Sequence, residues 1–357
     1  MNDKEITKKV NLDCALKSKE EPVRKLRDIL KLYNKDYLTD FYYVITKKEI
    51  DDTKQNIINK IYEELTDEDV IHRFLNTLIE EEYTELKRIM KNNGCIQDDY
   101  IEHRDYCYLK SFGIVHTFNY KKKLYVIIPE EILEIIYNIN INRCSNQIKE
   151  NSKMVELAYA MLNLYGVVPL NIFLDYHDKY YRHKDNENKN LDCILLPERT
   201  NSIRGIETER NIYLAKNEYF YEDYDKSIIG KTISRLEDDL FTFDFKDIKL
   251  DDLLKYSDLF YYEETDAIIT FKEYLKDNGM NDDDIDSLIG SLVQGFRKDY
   301  NESILFLNDD FEDSKYEINE NNIEEILPYI NDIINEIPMW GNKGWTNKEI
   351  ILGKCYE

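Results

Sequence analysis

The chain has no cysteines at metal-binding spacing, and that removes its simplest chemistry first. Cys14, Cys95, Cys107, Cys144, Cys193 and Cys355 include no CxxC pair. Structural zinc is therefore not expected, and the dispersed cysteines fit reduced thiols in a cytoplasmic protein. Long apolar runs are missing too. Leu157–Leu162 and Leu164–Leu170 fall far short of the about 18 residues that a membrane span needs, so no membrane association is expected. Met-Asn-Asp-Lys-Glu at the start has no apolar h-region, which argues against a secretory leader. Histidine is scarce, and His72, His103, His116, His177 and His183 form no HExxH pattern. No metal or cofactor is expected on these grounds. Glycine and proline are few, while Asn, Ile, Lys, Asp and Tyr are abundant, a usage resembling that of AT-rich bacterial or phage genomes.

The chain is rich in acid and in aromatics. Its formal charge is −24, and 35 acidic against 14 basic residues lie from Asn217 onward, a net of −21 there and −3 before it. Such a surface repels phosphate, so the last part is not expected to lie on nucleic acid. Hydrophobic residues make up 42%, with 29 Tyr and 14 Phe, which is too much for low-hydrophobicity disorder and enough for real cores. A length of 357 residues suggests two or three domains.

Residues 1–92 read as helical. Val23–Tyr33 and Asp51–Leu65 carry apolar residues at helical spacing, and Glu81–Lys91 ends at Asn93-Gly94. Thr66 reads as the cap of a helix over Val70–Glu80, with Asp69 at the third position. The period then changes. Asp98–Phe112 reads as a helix stopped by Gly113, and Ile114–Phe118 and Leu124–Ile128 as a hairpin joined by Asn119–Lys123. Pro129 opens a helix over Ile132–Ile139. The order recurs in Met154–Tyr165, Leu170–Tyr181, a short helical stretch Leu191–Arg199, and a hairpin of Ser202–Glu207 with Arg210–Lys216. Helix, helix, helix and hairpin is the order of a winged helix.

The expected fold is mainly α with short β-hairpins (α+β). Its regions are an N-terminal helical part (1–65), two tandem winged-helix-like modules (66–140 and 150–216), an acidic and aromatic connector with local strand (217–246), and an acidic helical domain (247–357). In that domain Ile248–Tyr256, Ala267–Asn278, Asp282–Tyr300 and Ile323–Glu336 read as helices.

Tyr108-Leu-Lys-Ser-Phe-Gly-Ile-Val-His, the wing ending Tyr125-Val-Ile-Ile-Pro-Glu-Glu-Ile, Leu162-Asn-Leu-Tyr-Gly-Val, and Met339-Trp with Lys343-Gly-Trp-Thr-Asn-Lys-Glu resemble, in this order, a group of clostridial proteins. Some of those carry a Rho-like N-terminal domain and others a SEC-C zinc-binding tail. The resemblance spans roughly residues 70–350 and implies a winged-helix-like core. This chain has no Cys-rich tail after Lys354, so the zinc role of that tail is not carried over.

Lys121-Lys122-Lys123 after Tyr120, with Arg104 and Lys110 nearby in sequence, could reach phosphates from a hairpin tip, or simply keep a turn solvated. A second basic spot is Lys179, Arg182, Lys184 and Lys189, interrupted by Asp175, Asp178, Asp185 and Glu187. Ile229-Gly-Lys-Thr232 is no P-loop, because Asp225 stands where the first glycine belongs. Asn281–Asp286 lacks the glycine and glutamate of a calcium loop and reads as a helix start. Cys107 and His103 are four apart on the expected helix, and an inert buried thiol is the simpler account. Trp340 and Trp345 are expected to pack the last segment onto the body.

No catalytic residue set stands out. The expectation is a non-enzymatic regulatory or interaction protein, its acidic domain binding a basic protein partner or modulating DNA engagement. A phage-type inhibitor acting by DNA mimicry and an enzyme with an unseen pocket are the alternatives.

Overall fold

The computed structural model describes residues 3–181, 193, 203–216, 228–238, 243–298 and 323–356. They are mainly helical, with one sheet of four short strands and one of three. The chain divides into two compact units, Met1–Met154 with Asn188–Thr200, and Val155–Glu187 with Asn201–Glu357.

The first unit opens with helix α1 (Asp3–Asp13) and strand β1 (Leu16–Ser18). Helices α2 (Leu26–Leu32), α3 (Lys35–Thr46), α4 (Lys54–Leu65), α5 (Glu68–Leu75) and α6 (Glu80–Lys91) follow. The spacing explains them. On α4, Ile57, Ile58, Ile61 and Leu65 form one buried face. Asp67, not Thr66, caps α5, accepting from the Asp69 and Val70 amides. The Thr66 hydroxyl turns back to the Tyr62 carbonyl at 2.7 Å and closes α4. An acceptor with two oxygens suits the bare amides of a helix start, and a Thr hydroxyl can bond backward instead.

Strand β2 (Cys95–Gln97), helix α7 (His103–Ser111) and strands β3 (His116–Tyr120) and β4 (Lys123–Ile127) come next. The helix begins five residues later than expected because Asp98 and Asp99 are bound to the sheet. The Asp98 amide bonds the Leu124 carbonyl, and the Asp99 carboxylate accepts the Leu124 amide at 2.7 Å. The strand order is β1-β3-β4-β2. β3 and β4 are antiparallel, β2 joins β4 antiparallel, and β1 runs parallel to β3. His116, Thr117 and Phe118 are all buried, so both faces of β3 are covered. Helix α8 (Glu130–Ile139) follows Pro129 and returns Ile132 and Ile136 to the same core. The boundary between the units falls inside helix α9 (Ser145–Tyr165). In its first part, Asn151 is buried and donates to the Asn76 and Leu78 carbonyls at 2.7 and 2.9 Å.

In the second unit, strand β5 (Val167–Pro169), helix α10 (Leu170–Tyr181) and the hairpin β6 (Ile203–Glu207) and β7 (Ile212–Lys216) form a sheet of order β5-β7-β6. Gly166, at φ +76, lies under the Trp340 indole, where a Cβ would collide with the ring. Within the expected connector, Ile228–Glu237 is a helix and places Gly230, Lys231 and Thr232 inside it. Helices Asp266–Asp277, Asp282–Lys298 and Ile323–Glu336 bury Phe271, Ile289, Phe296, Ile330 and Ile333 in a separate core. Asn281 starts the middle one by accepting from the Asp284 amide at 2.9 Å.

The tryptophan segment is packed as expected. Trp340 Nε1 donates to the Asn163 carbonyl at 3.1 Å, and Trp345 Nε1 to the Asp244 carbonyl at 2.9 Å. Thr346 and Glu349 form a reciprocal capping box for Asn347–Ile351.

Candidate functional site

The turn between β3 and β4 has two residues. Tyr120 pairs with Lys123, so Lys121 and Lys122 alone make the corner. Both have positive φ, 52° and 60°. Two left-handed residues in a two-residue loop are the mark of a type I′ turn, which matches the twist of the strands and usually carries Asn-Gly. Lysine at each position costs about 1 kcal/mol or more.

All three lysines of the tip are exposed. Lys121 Nζ lies 4.7 Å over the Tyr120 ring, whose hydroxyl raises the lysine pKa and keeps it charged. Lys122 has no partner among the described residues. Lys123 Nζ donates to Gln97 Oε1 at 3.3 Å, a long bond to a neutral acceptor. The parallel register sets Lys17 opposite Asn119 and Ser18 opposite Tyr120. Exposed Lys17 and Lys19 therefore stand at the same end of the sheet as the turn. Asp99 is the neighbouring acid, and Lys8 pairs with it at 2.8 Å. Burial would raise the Asp99 pKa, but the Lys8 ammonium and the Leu124 amide outweigh it and hold the carboxyl below its ordinary value. Glu21 also lies near Lys121.

The other expected contacts fall differently. Arg104 sits in the first turn of α7. Lys110 is turned inward: its Nζ donates to the Cys14 carbonyl at 2.9 Å, and burial pushes its pKa down. It serves as a tether for the α1–β1 junction and not as an outward cation. Lys179 is likewise committed. Its Nζ sits 2.7 Å from both Asp247 oxygens and 5.6 and 5.1 Å over the Tyr176 and Tyr180 rings. Arg182, Lys184 and Lys189 lie outside the described residues. The structure thus brings Lys121, Lys122 and Lys123 together and adds Lys17 and Lys19, which sequence reasoning missed. The Lys-Ser-Lys alternation was visible, but its distant parallel partner was not.

Cys107 is half-buried on α7. No group of three or more His, Cys, Asp or Glu able to hold a metal ion occurs among the described residues. No helix among them is long and apolar enough to cross a membrane. No family model, curated protein or solved structure matches the chain.

Proposed function

We propose that this is a non-enzymatic interaction protein whose first unit contacts the phosphate backbone of a nucleic acid through the β3–β4 turn. Lys121, Lys122 and Lys123 supply the contact, with Lys17 and Lys19 beside them. The acidic later part then binds a basic protein partner or modulates that engagement. One observation carries the reading: lysines occupy both left-handed positions of a turn that glycine and asparagine would fill at lower energy. Strain held at an exposed tip is a reason to look for function there. A winged-helix reading of the second unit is supported by its order, α9-β5-α10 followed by the β6–β7 hairpin, with β7 central in the sheet. Dispersed free thiols support a cytoplasmic setting.

The mimicry alternative keeps its charge: a few carboxylates of the second unit are paired, but 35 acidic against 14 basic residues from Asn217 onward leave a net of −21. Lys272 binds Glu264 and Asp286, Lys276 binds Asp282, and Lys348 binds Glu336, all at 2.7–2.8 Å.

The test is fluorescence anisotropy of a labelled duplex with the full chain, titrated with salt. Non-specific phosphate binding predicts a Kd of about 10⁻⁴ to 10⁻⁶ M and a log–log salt slope of about −4.5 for five contacts. Absence of salt-dependent binding to duplex and single-stranded DNA or RNA would refute the phosphate reading.

A further inference from the structure

Two Asn-Gly dipeptides occur in the chain, Asn93-Gly94 and Asn278-Gly279, and each stands at the C-terminal end of a helix. The same pair of backbone bonds closes both ends. After the helix Asp266–Asp277, the Gly279 amide donates to the Lys276 carbonyl at 3.0 Å and the Met280 amide to the Leu275 carbonyl at 3.1 Å. After α6, the Asn93 amide donates to the Met90 carbonyl and the Gly94 amide to the Ile89 carbonyl, both at 3.1 Å. These are Schellman motifs, which place one residue in the left-handed region. Gly279 is that residue at φ +92 in the first, and Asn93 at φ +53 in the second.

The surroundings of the two dipeptides differ. Gly94 is buried, its carbonyl accepts the Ile128 amide at 2.8 Å, and Leu133 and Ile128 fill the space beside its Cα. Arg24 Nη1 donates to the Asn93 carbonyl at 3.1 Å. Gly279 is exposed, and no atom lies within 4 Å of where a side chain would begin. Asn278 is exposed as well, and its side-chain amide donates to the Tyr274 carbonyl at 2.9 Å on the protein surface. Exposed turn bonds of this kind open locally at little cost, whereas opening at Gly94 breaks into the first core.

We infer that Asn278 is a site of spontaneous deamidation and that Asn93 is protected from it. The Gly279 amide gives its proton to solvent hydroxide, and its nitrogen attacks Asn278 Cγ. The new N–Cγ bond closes a succinimide as the Cγ–Nδ2 bond breaks, and ammonia leaves with a proton from water. A second water opens the ring at either carbonyl and leaves aspartate or isoaspartate, so water is the only co-reactant. Ring closure requires the peptide after the asparagine to swing round, which glycine permits because it has no Cβ. The Gly279 peptide has the room. The Gly94 peptide would have to leave Ile128 and displace Leu133.

Either product puts a carboxylate at the negative end of the helix Asp266–Asp277. Isoaspartate also lengthens the backbone by one carbon inside the turn, so the bonds to the Lys276 and Leu275 carbonyls no longer close together. Leu275 is buried in the same core as Phe271. The modification therefore loosens the end of a core helix.

Peptide-mass mapping of the full chain, aged in mildly alkaline buffer, provides the test. In the folded protein Asn278 should convert at least about tenfold faster than Asn93. In the urea-denatured chain the two should convert at similar rates, because the dipeptides are the same. Asn278→Gln, which forms the ring far less readily, should keep its thermal melt and stop the conversion at this position. The aged parent should melt lower than the fresh protein, and the aged variant should not. Equal rates in the folded protein, or faster loss at Asn93, would overturn the inference. So would an Asn278 that stays intact in the folded protein while the denatured chain converts. An unchanged melt after conversion would overturn the loosening of the helix. None of these results bears on the DNA measurement, so the two readings stand or fall separately.

Discussion

Tyr33 and His116 are bonded to each other inside the first core, with the tyrosine hydroxyl 3.0 Å from the imidazole Nδ1. Tyr33 in turn stacks on Tyr37 with ring centroids 4.3 Å apart. The other imidazole nitrogen, Nε2, is buried with no partner among the described residues. Burial, with the nearby Lys110 charge, pushes the His116 pKa down to about 3. An unfolded histidine takes up its proton near pH 6.5. Between those two values the unfolded chain binds the extra proton, so stability falls as acid is added. The contribution is fully present above about pH 6.5 and declines below it, by about 2 kcal/mol at pH 5. His116→Gln keeps an acceptor for Tyr33 and removes the titration. Urea unfolding at pH 7.5 and 5.0 should show the parent losing about 2 kcal/mol more than the variant. Parallel losses in the two proteins would show that His116 does not drive the acid sensitivity.

At the hairpin tip, stability and binding should separate. Lys121→Asn with Lys122→Gly installs the residues that a type I′ turn prefers and should raise stability by about 1 kcal/mol. The same change removes two cations, so the salt slope of DNA binding should shrink by about 2. A variant that is more stable yet binds DNA with an unchanged slope would remove the turn from the phosphate contact.

Gly166 answers a packing question. Its positive φ and the Trp340 ring above it both forbid a side chain. Gly166→Ala should cost about 2–4 kcal/mol and lower the melting temperature of the second unit. A loss below about 1 kcal/mol would mean that the indole moves aside at little cost.

Asn151 supplies both of its amide protons to carbonyls at the end of α5 and in the loop after it. Asn151→Ala leaves the Asn76 and Leu78 carbonyls without that donor in a buried place. The expected cost is about 2 kcal/mol, read as a shift in urea midpoint with an unchanged slope. A cost within about 0.5 kcal/mol would show that water replaces the amide.

Much of this architecture is written locally. The spacing of Ile57, Ile58, Ile61 and Leu65 marks α4 directly, and Leu170–Tyr181 and Ile323–Glu336 begin and end where their periodicity does. The two hairpins are also legible, because β-rich runs with polar corners describe themselves. What escaped a local reading depends on distant partners. β1 is three residues long and becomes a strand only beside β3. The late start of α7 depends on Asp98 and Asp99 finding Leu124. At the candidate site, the Lys121–Lys123 run was visible as charge. The inward commitments of Lys110 to Cys14 and of Lys179 to Asp247 were not, because sequence shows a cation but not the acceptor that folding brings to it.

The parallel pairing of β1 with β3 also imposes an order on synthesis. Leu16–Ser18 leave the ribosome about a hundred residues before Phe118–Tyr120, an interval of roughly 5–20 s at ordinary elongation rates. No hydrogen-bonding edge of β3 exists for them to join during that time. This early stretch of the nascent polypeptide must therefore wait for the younger hairpin before it can take its seat in the sheet.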